Sequence, residues 1–228
     1  GHGDYRLIAL APASVQEMAD FVGLAFDLAF KYRNPAIILA DGVIGQMMEK
    51  VVLPEQRPRL TNEEVMARCP WATFGKLKHR GPNIVTSLEL DPAEMEKRNI
   101  HLQQKYAEIE EKEVRYEEIH CDDAEYLIVA FGSCARIAQK AMEEARAEGI
   151  KVGLLRPITL WPFPSKAIAE RSRQVKGILT VELNAGQMVE DVRLAVECKV
   201  PVEYFGRLGG IVPDPDEVVT ALKEKIIK

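Results

Sequence analysis

Three short stretches of this 228-residue chain set polar groups where chemistry could occur. Glu182-Leu-Asn184-Ala-Gly186-Gln187 offers a carboxylate, a helix-capping amide and a glutamine. Gly132-Ser133 follows an apolar run and opens a helical pattern, so its backbone N–H groups could take an anion, though a tight turn is the simpler reading. Asp41-Gly42 closes another apolar run and leads into Val43, Ile44, Gln46, Met47 and Met48. A turn needs Asp-Gly, but it does not need those large apolar side chains. A fourth stretch, RPITLWPFP, holds Trp161 and Phe163 between prolines, a stiff apolar wedge suited to docking on a neighbouring domain. The basic run Lys76, Lys78, His79 and Arg80 could hold a phosphate, and reads more simply as a solvated excursion.

Other chemistries are missing from the pattern. There is no Ser-His-Asp order, HExxH, Walker loop or GxGxxG. His2, His79, His101 and His120 fall in loop or connector segments without ligand spacing. The four cysteines, at 69, 121, 134 and 198, form no CxxC or CxH pair, which argues against an iron–sulfur or zinc site made by this chain alone. Free, mostly buried thiols in a reducing cytoplasm are the expectation. A net charge of -5 gives no reason to expect nucleic acid or an anionic membrane as partner. No apolar stretch reaches the roughly 18 residues of a spanning helix, and no signal peptide is visible.

The elements that would position these residues divide the chain in three. In residues 1–54, Tyr5 to Leu10 reads as a buried strand. Ser14 to Glu17 has the form of a capping box, and the helix it starts runs to about Tyr32. The polar positions Gln16, Asp20, Gly23, Asp27 and Lys31 fall on one narrow stripe at about 100° per residue. The rest of the circumference is apolar and needs cover. This predicts a βαβ piece of a larger layer, with Ile44 and its neighbours facing protein outside the segment; the alternative is that they fold back on this chain's own second domain. The abrupt opening, Gly1-His2-Gly3 with no methionine, fits a cut polypeptide.

Residues 55–121 are first irregular, broken by Pro58, Pro70, Gly75, Gly81 and Pro82. A long polar helix starting at Asp91-Pro92 then reads as a solvent-bridging connector. From 122 to 228 strands alternate with helices, which means βαβ units and a mainly parallel sheet. The fold class is therefore α/β. Function in such sheets gathers beyond the carboxyl ends of the strands.

Four motifs go further: GDYRLIALAPASVQEM, KYRNPAIILADGVIGQMMEKV, GIKVGLLRPITLWPFP and VELNAGQMVEDVRLAV. Together they resemble the alpha subunit of the 2-oxoacid:ferredoxin oxidoreductases, of the short type using branched-chain 2-oxoacids or 2-oxoglutarate. The likeness covers nearly the whole chain, in order. It implies oxidative decarboxylation of a 2-oxoacid, such as 2-oxoisovalerate, on thiamine diphosphate, with acyl-CoA as product. Electrons would pass through iron–sulfur clusters on other subunits or domains to ferredoxin. It implies a partial pyrimidine-binding domain in 1–54 and a transketolase-carboxyl-terminal-like domain in 122–228. A beta subunit would carry the diphosphate and magnesium, and ferredoxin-like or gamma subunits would complete the assembly. The activating glutamate would lie in an amino-terminal part with no counterpart here, so no catalytic, cofactor or metal residue is assigned. Asp41, Gly42, Ile44, Gln46 and Met47 would touch the beta subunit or line a substrate wall. Gly132, Ser133, Trp161 and Asn184 are the further interface or wall candidates. Two other readings remain open: the beta chain of a 2-oxoacid dehydrogenase or another thiamine enzyme, and a noncatalytic flavodoxin-like domain holding a phosphate at Gly132-Ser133.

Overall fold

The computed structural model describes residues 3–72 and 81–227. The basic run Lys76 to Arg80, like His2, lies outside the described residues.

The apolar runs form two sheets. β1 (Ile8–Leu10) pairs in parallel with β2 (Ala36–Ile38), joined by α1 (Val15–Tyr32). The small sheet has a third strand, β6 (Thr159–Trp161), antiparallel to β1. The expected wedge is thus a strand, contributed from far along the chain. Ser14 caps α1 by accepting from Glu17 N. Glu17 does not return to Ser14: its carboxylate accepts from Ala13 N and pairs with Arg156. Downstream come α2 (Gly42–Gln46) and α3 (Asn62–Arg68), the latter started by a full Thr61–Glu64 capping box.

α4 (Pro92–Lys112) is capped by Asp91. It departs from the expected free connector. Tyr106 and Ile109 are buried and join Ile8, Leu10, Phe21, Leu28 and Tyr32 in one cluster, and Tyr106 meets Trp161 edge-on at 5.8 Å. α4 therefore covers part of the layer that the sequence left open. The helix also stops earlier than its charge pattern suggests. Tyr116–Ile119 form a strand, β3, antiparallel to β5 (Val152–Pro157).

The large sheet runs β3-β5-β4-β7-β8, with β4 Tyr126–Ala130, β7 Ile178–Glu182 and β8 Val202–Gly206. All pairings but that of β3 are parallel, as the alternation predicts. α5 (Gly132–Ala147) and α8 (Pro215–Leu222) pack on one face, where Ile128, Leu154, Leu179, Met142 and Val218 are buried. A π-helical turn, Lys223–Ile227, follows α8. α6 (Ser165–Arg171) and α7 (Met188–Val196) cover the other face over Leu127, Val129 and Ile178. Cys121 and Cys134 are buried, Cys69 half-buried and Cys198 exposed. Burial pushes the Cys134 thiol up to about 12, with help from the Asp41 and Glu182 carboxylates. A thiol so placed is a poor nucleophile.

Charges tie the two sheets together. Arg156, on β5, is buried and holds Glu17 through two bonds of 2.8 and 2.7 Å. Glu113, at the end of α4, accepts from Lys31 at 2.7 Å, Tyr32 at 2.6 Å and Arg115 at 2.9 Å. Burial alone would raise its carboxyl, but these donors outweigh it and bring it down from 4.5 to about 2. A depressed carboxyl contributes stability above its unfolded value and loses it as the pH falls through the folded one. Chemical unfolding should therefore show a loss between about pH 4.5 and 2 that the Glu113→Gln variant lacks. At neutral pH that variant should be less stable by about 1.5–3 kcal/mol, the range for hydrogen bonds to charged groups. Equal acid sensitivity in both proteins would show that the hub contributes nothing.

Candidate functional site

The site is built where the carboxyl ends of strands from both sheets meet. β4 ends at Ala130 and the chain turns at Phe131 into α5. Gly132 makes that turn at φ +60°, a left-handed conformation that favours glycine. The helix exposes its first amides there, the feature that suggested an anion. The anion is the chain's own. Asp41 Oδ2 accepts from Ser133 N at 3.0 Å, while Oδ1 accepts from Val43 N and Ile44 N at 3.0 Å each. One carboxylate thus serves two helix starts, α2 and α5. A Cβ on Gly132 would sit 3.0 Å from Asp41 Oδ2, so the close approach needs glycine. Burial raises the Asp41 carboxyl, but the amides of Ile44, Ser133 and Val43 outweigh it and leave it below the ordinary range.

This corrects the reading of residues 41–48. Asp41-Gly42 begins a short helix rather than a turn, and Ile44 is 1% exposed, packed inside this chain. Met47 is half-buried, with its sulfur 3.5 Å from Arg136. Gly42, Gly45, Gln46 and Met48 are the exposed members. Of the set, only Met48, at 98% exposure, keeps a large apolar side chain fully in solvent.

The second helix start follows the same rule. Glu182, the last residue of β7, is buried. Its carboxylate accepts from Gln187 N at 3.1 Å, Met188 N at 2.8 Å and Val189 N at 3.0 Å. Asn184 is not the cap of α7. Its side chain accepts from Gly186 N at 2.8 Å and closes a local turn. An acidic residue ending an apolar strand just before a helix was the legible signal for Glu182.

These residues border a cleft of about 510 Å³. Leu7, Ile37, Leu39 and Trp161 of the small sheet form one wall; Phe131, Phe163 and Met188 stand opposite. Glu182, Asn184, Gln187 and Asp191 add polar groups, and Arg6 also lines the cleft. Asp191 lines the cleft and is exposed. Partial loss of water raises its carboxyl, and the charges of Glu182 and Glu190 add to the shift. Gly132 and Ser133 are not in this cleft lining; they are sealed beneath Asp41. The structure thus brings Trp161 and Asn184 together and gathers Asp41, Gly132 and Ser133 at a separate latch. Arg6 and Asp191 were not singled out in the sequence, because only the tertiary fold brings them to the cleft.

The Ser133 amide that a phosphate would use is taken by Asp41, which removes the basis of the flavodoxin-like reading. Among the described residues, no three His, Cys, Asp or Glu side chains converge as metal ligands. The buried carboxylates Glu182 and Glu113 are spent on donors of this chain. Among those residues no helix is long and apolar enough to cross a membrane.

A mixed small sheet joined to a mainly parallel one, both carrying helices, defines an α/β chain. Comparison with known proteins bears this out. Residues 2–119 match the family described as pyruvate flavodoxin/ferredoxin oxidoreductase, thiamine diphosphate-binding, and residues 124–218 match pyruvate:ferredoxin oxidoreductase core domain II. The chain belongs to this oxidoreductase family. It is 48% identical over 224 residues to the ketoisovalerate oxidoreductase subunit VorB of Methanothermobacter thermautotrophicus, covering 98% of this chain and 62% of that protein. It is 32% identical over 241 residues to the 2-oxoglutarate synthase subunit KorA of Methanothermobacter marburgensis, covering 97% of this chain and 64% of that one. The chain therefore spans less than two thirds of the length of these relatives. A solved 2-oxoglutarate:ferredoxin oxidoreductase from Magnetococcus marinus shares the fold, with a TM-score of 0.74 at 23% identity over 98% of this chain and 43% of that one.

The Asp41 latch can be tested directly. Asp41→Ala removes the acceptor of three amides and should lower unfolding stability by roughly 1–3 kcal/mol, the scale of losing two caps. Gly132→Ala should also destabilise, by about 1–2 kcal/mol from the left-handed backbone alone. Urea unfolding of both variants checks this. An Asp41→Ala midpoint equal to that of the parent chain would refute the latch.

Proposed function

We propose that this chain is part of the alpha subunit of a thiamine diphosphate-dependent 2-oxoacid:ferredoxin oxidoreductase, acting on a branched-chain 2-oxoacid such as 2-oxoisovalerate. One observation carries the choice of substrate: identity is 48% to the ketoisovalerate subunit and 32% to the 2-oxoglutarate subunit, over nearly the same span. In this reading the assembly decarboxylates the 2-oxoacid, transfers the acyl group to coenzyme A and passes electrons to ferredoxin in the cytoplasm. Thiamine diphosphate is supported by the family's description. Magnesium and iron–sulfur clusters would be carried elsewhere in the assembly, by a beta subunit and ferredoxin-like or gamma subunits. Residues 1–54 would be the back half of the pyrimidine-binding domain, 55–121 the linker and connector, and 122–228 the transketolase-carboxyl-terminal-like domain.

The apolar surface supports a place inside an assembly. On α1, Val22 is 48% and Phe26 64% exposed, and the neighbouring loop exposes Met48. The interface reading, first attached to Ile44, moves to this stripe. Burying each such side chain is worth about 1.5–3 kcal/mol when complete.

Two experiments follow. The assembled holoenzyme is assayed for coenzyme A-dependent dye or ferredoxin reduction with 2-oxoisovalerate, 2-oxoglutarate and pyruvate. 2-Oxoisovalerate should give a kcat/KM higher by at least about tenfold, a discrimination within reach of an apolar pocket. A preference for 2-oxoglutarate would overturn the substrate, and reduction of a lipoyl carrier in place of ferredoxin would favour a dehydrogenase. In the second, Val22→Ser with Phe26→Ser should weaken subunit association about a hundredfold or more, if each lost contact is worth the lower end of that burial range. The unfolding midpoint of the chain itself should barely move. Undiminished co-purification would place this stripe outside any interface.

A further inference from the structure

A second cleft, far from the strand ends, gathers cations. It lies between the end of α1 and the middle of α4, has a volume of about 810 Å³, and is lined by Arg33, Arg98, His101 and Lys105, with Ile84 and Val85 on one side. Arg98 is paired with Glu89, and the lining carboxylate Glu108 is taken by Lys112. Among the described residues, no carboxylate pairs with Arg33, His101 or Lys105. Arg33 is held in place: it ends α1 in a left-handed conformation, and its guanidinium lies 4.7 Å from the centre of the Trp71 ring. Lys105 Nζ donates to Arg33 O at 3.3 Å, so its ammonium sits at the same corner.

A helix end accounts for one cation, which complements its dipole. It does not account for a guanidinium and an ammonium at one corner, with the lining carboxylate Glu108 paired to Lys112 instead, in a chain of net charge -5. Burial lowers the Lys105 ammonium, and the Arg33 charge lowers it further. The neighbouring Ile84 and Val85 are 81% and 79% exposed, unpartnered apolar groups at the cleft's edge.

We propose that this cleft binds a phosphate ester with an apolar body, Arg33 and Lys105 holding the phosphoryl oxygens and Ile84 and Val85 covering the apolar part. A guanidinium fork beside a point charge suits a phosphoryl group. The concavity is of small-ligand size, within the usual range of about 300–1,000 Å³.

Phenyl phosphate is the probe, titrated calorimetrically into the full chain. It should bind saturably at one site, about tenfold or more tighter than inorganic phosphate if the apolar side contributes a typical group's worth. Arg33→Gly keeps the left-handed backbone and removes the charge; Lys105→Gln removes the other. Each should weaken binding about tenfold, as loss of one charge-assisted contact does, while Lys140→Gln, on α5, should leave it unchanged. Side-chain NMR should show the Lys105 ammonium titrating at higher pH once the probe is bound, a readout that remains if one variant folds poorly. Absence of saturation, or variants that bind like the parent, would overturn the site. Equal binding of inorganic phosphate would remove its apolar half. Displacement by a glutamate-rich peptide at lower concentration than phenyl phosphate would overturn the small-ligand reading in favour of an acidic protein partner.

Discussion

The carboxylate of Asp41 is the point on which the two halves of this chain depend. Each of its oxygens serves a different helix start, one on α2 and one on α5. Helix starts carry free N–H groups and a partial positive charge, so one anion between two of them satisfies both. The contact is possible because Gly132 has no Cβ to intrude and adopts the positive φ the turn requires. Around this latch the halves are bonded by Glu17 to Arg156 and by Glu49 to Arg136 at 2.7 Å. Ile44 is sealed beneath it.

The same logic runs through the large sheet. Glu182 occupies the start of α7 as Asp41 occupies that of α5. Both positions lie where parallel sheets commonly bind anionic ligands. Here internal carboxylates take those places, so the chain offers phosphate no ready cradle at either. What the strand ends do leave open is a cleft with mainly apolar walls and an acidic side.

The small sheet is a shared structure. Its outer strand β6 arrives from beyond β5, and α4 covers its inner face with Tyr106 and Ile109. The Glu17–Arg156 pair across it is part-buried, and Arg156 also meets Glu117 at 3.0 Å, so the join rests on a small network rather than on one bond. The other face is different. Leu7, Ile37 and Leu39 stay 39–46% exposed, and the α1 stripe is more open still. An apolar surface of this kind belongs at a contact, in keeping with a chain that spans 62% of its ketoisovalerate relative.

Periodicity alone was enough for the strand–helix alternation after residue 122, the extent of α1 and its need for cover. Those are local properties: the spacing of apolar side chains and the capping chemistry of Ser14 and Asp91 are written in neighbouring residues. The family was legible too, because four long motifs were present in order. Partners distant in sequence were not. Asp41 meets Ser133 across 92 residues and Glu17 meets Arg156 across 139, and no local pattern encodes such a pairing. The arginine in KVGLLR is a single charge in an apolar run, and nothing beside it in sequence names the acid it meets. The polar look of α4 hid its two buried anchors, since a helix covering only a narrow strip needs few apolar residues. Whether Ile44 faced inward or outward was decided by that same distant carboxylate pairing, which swings residues 41–47 against α5; sequence established that the residue must be covered, and tertiary structure alone decided by what.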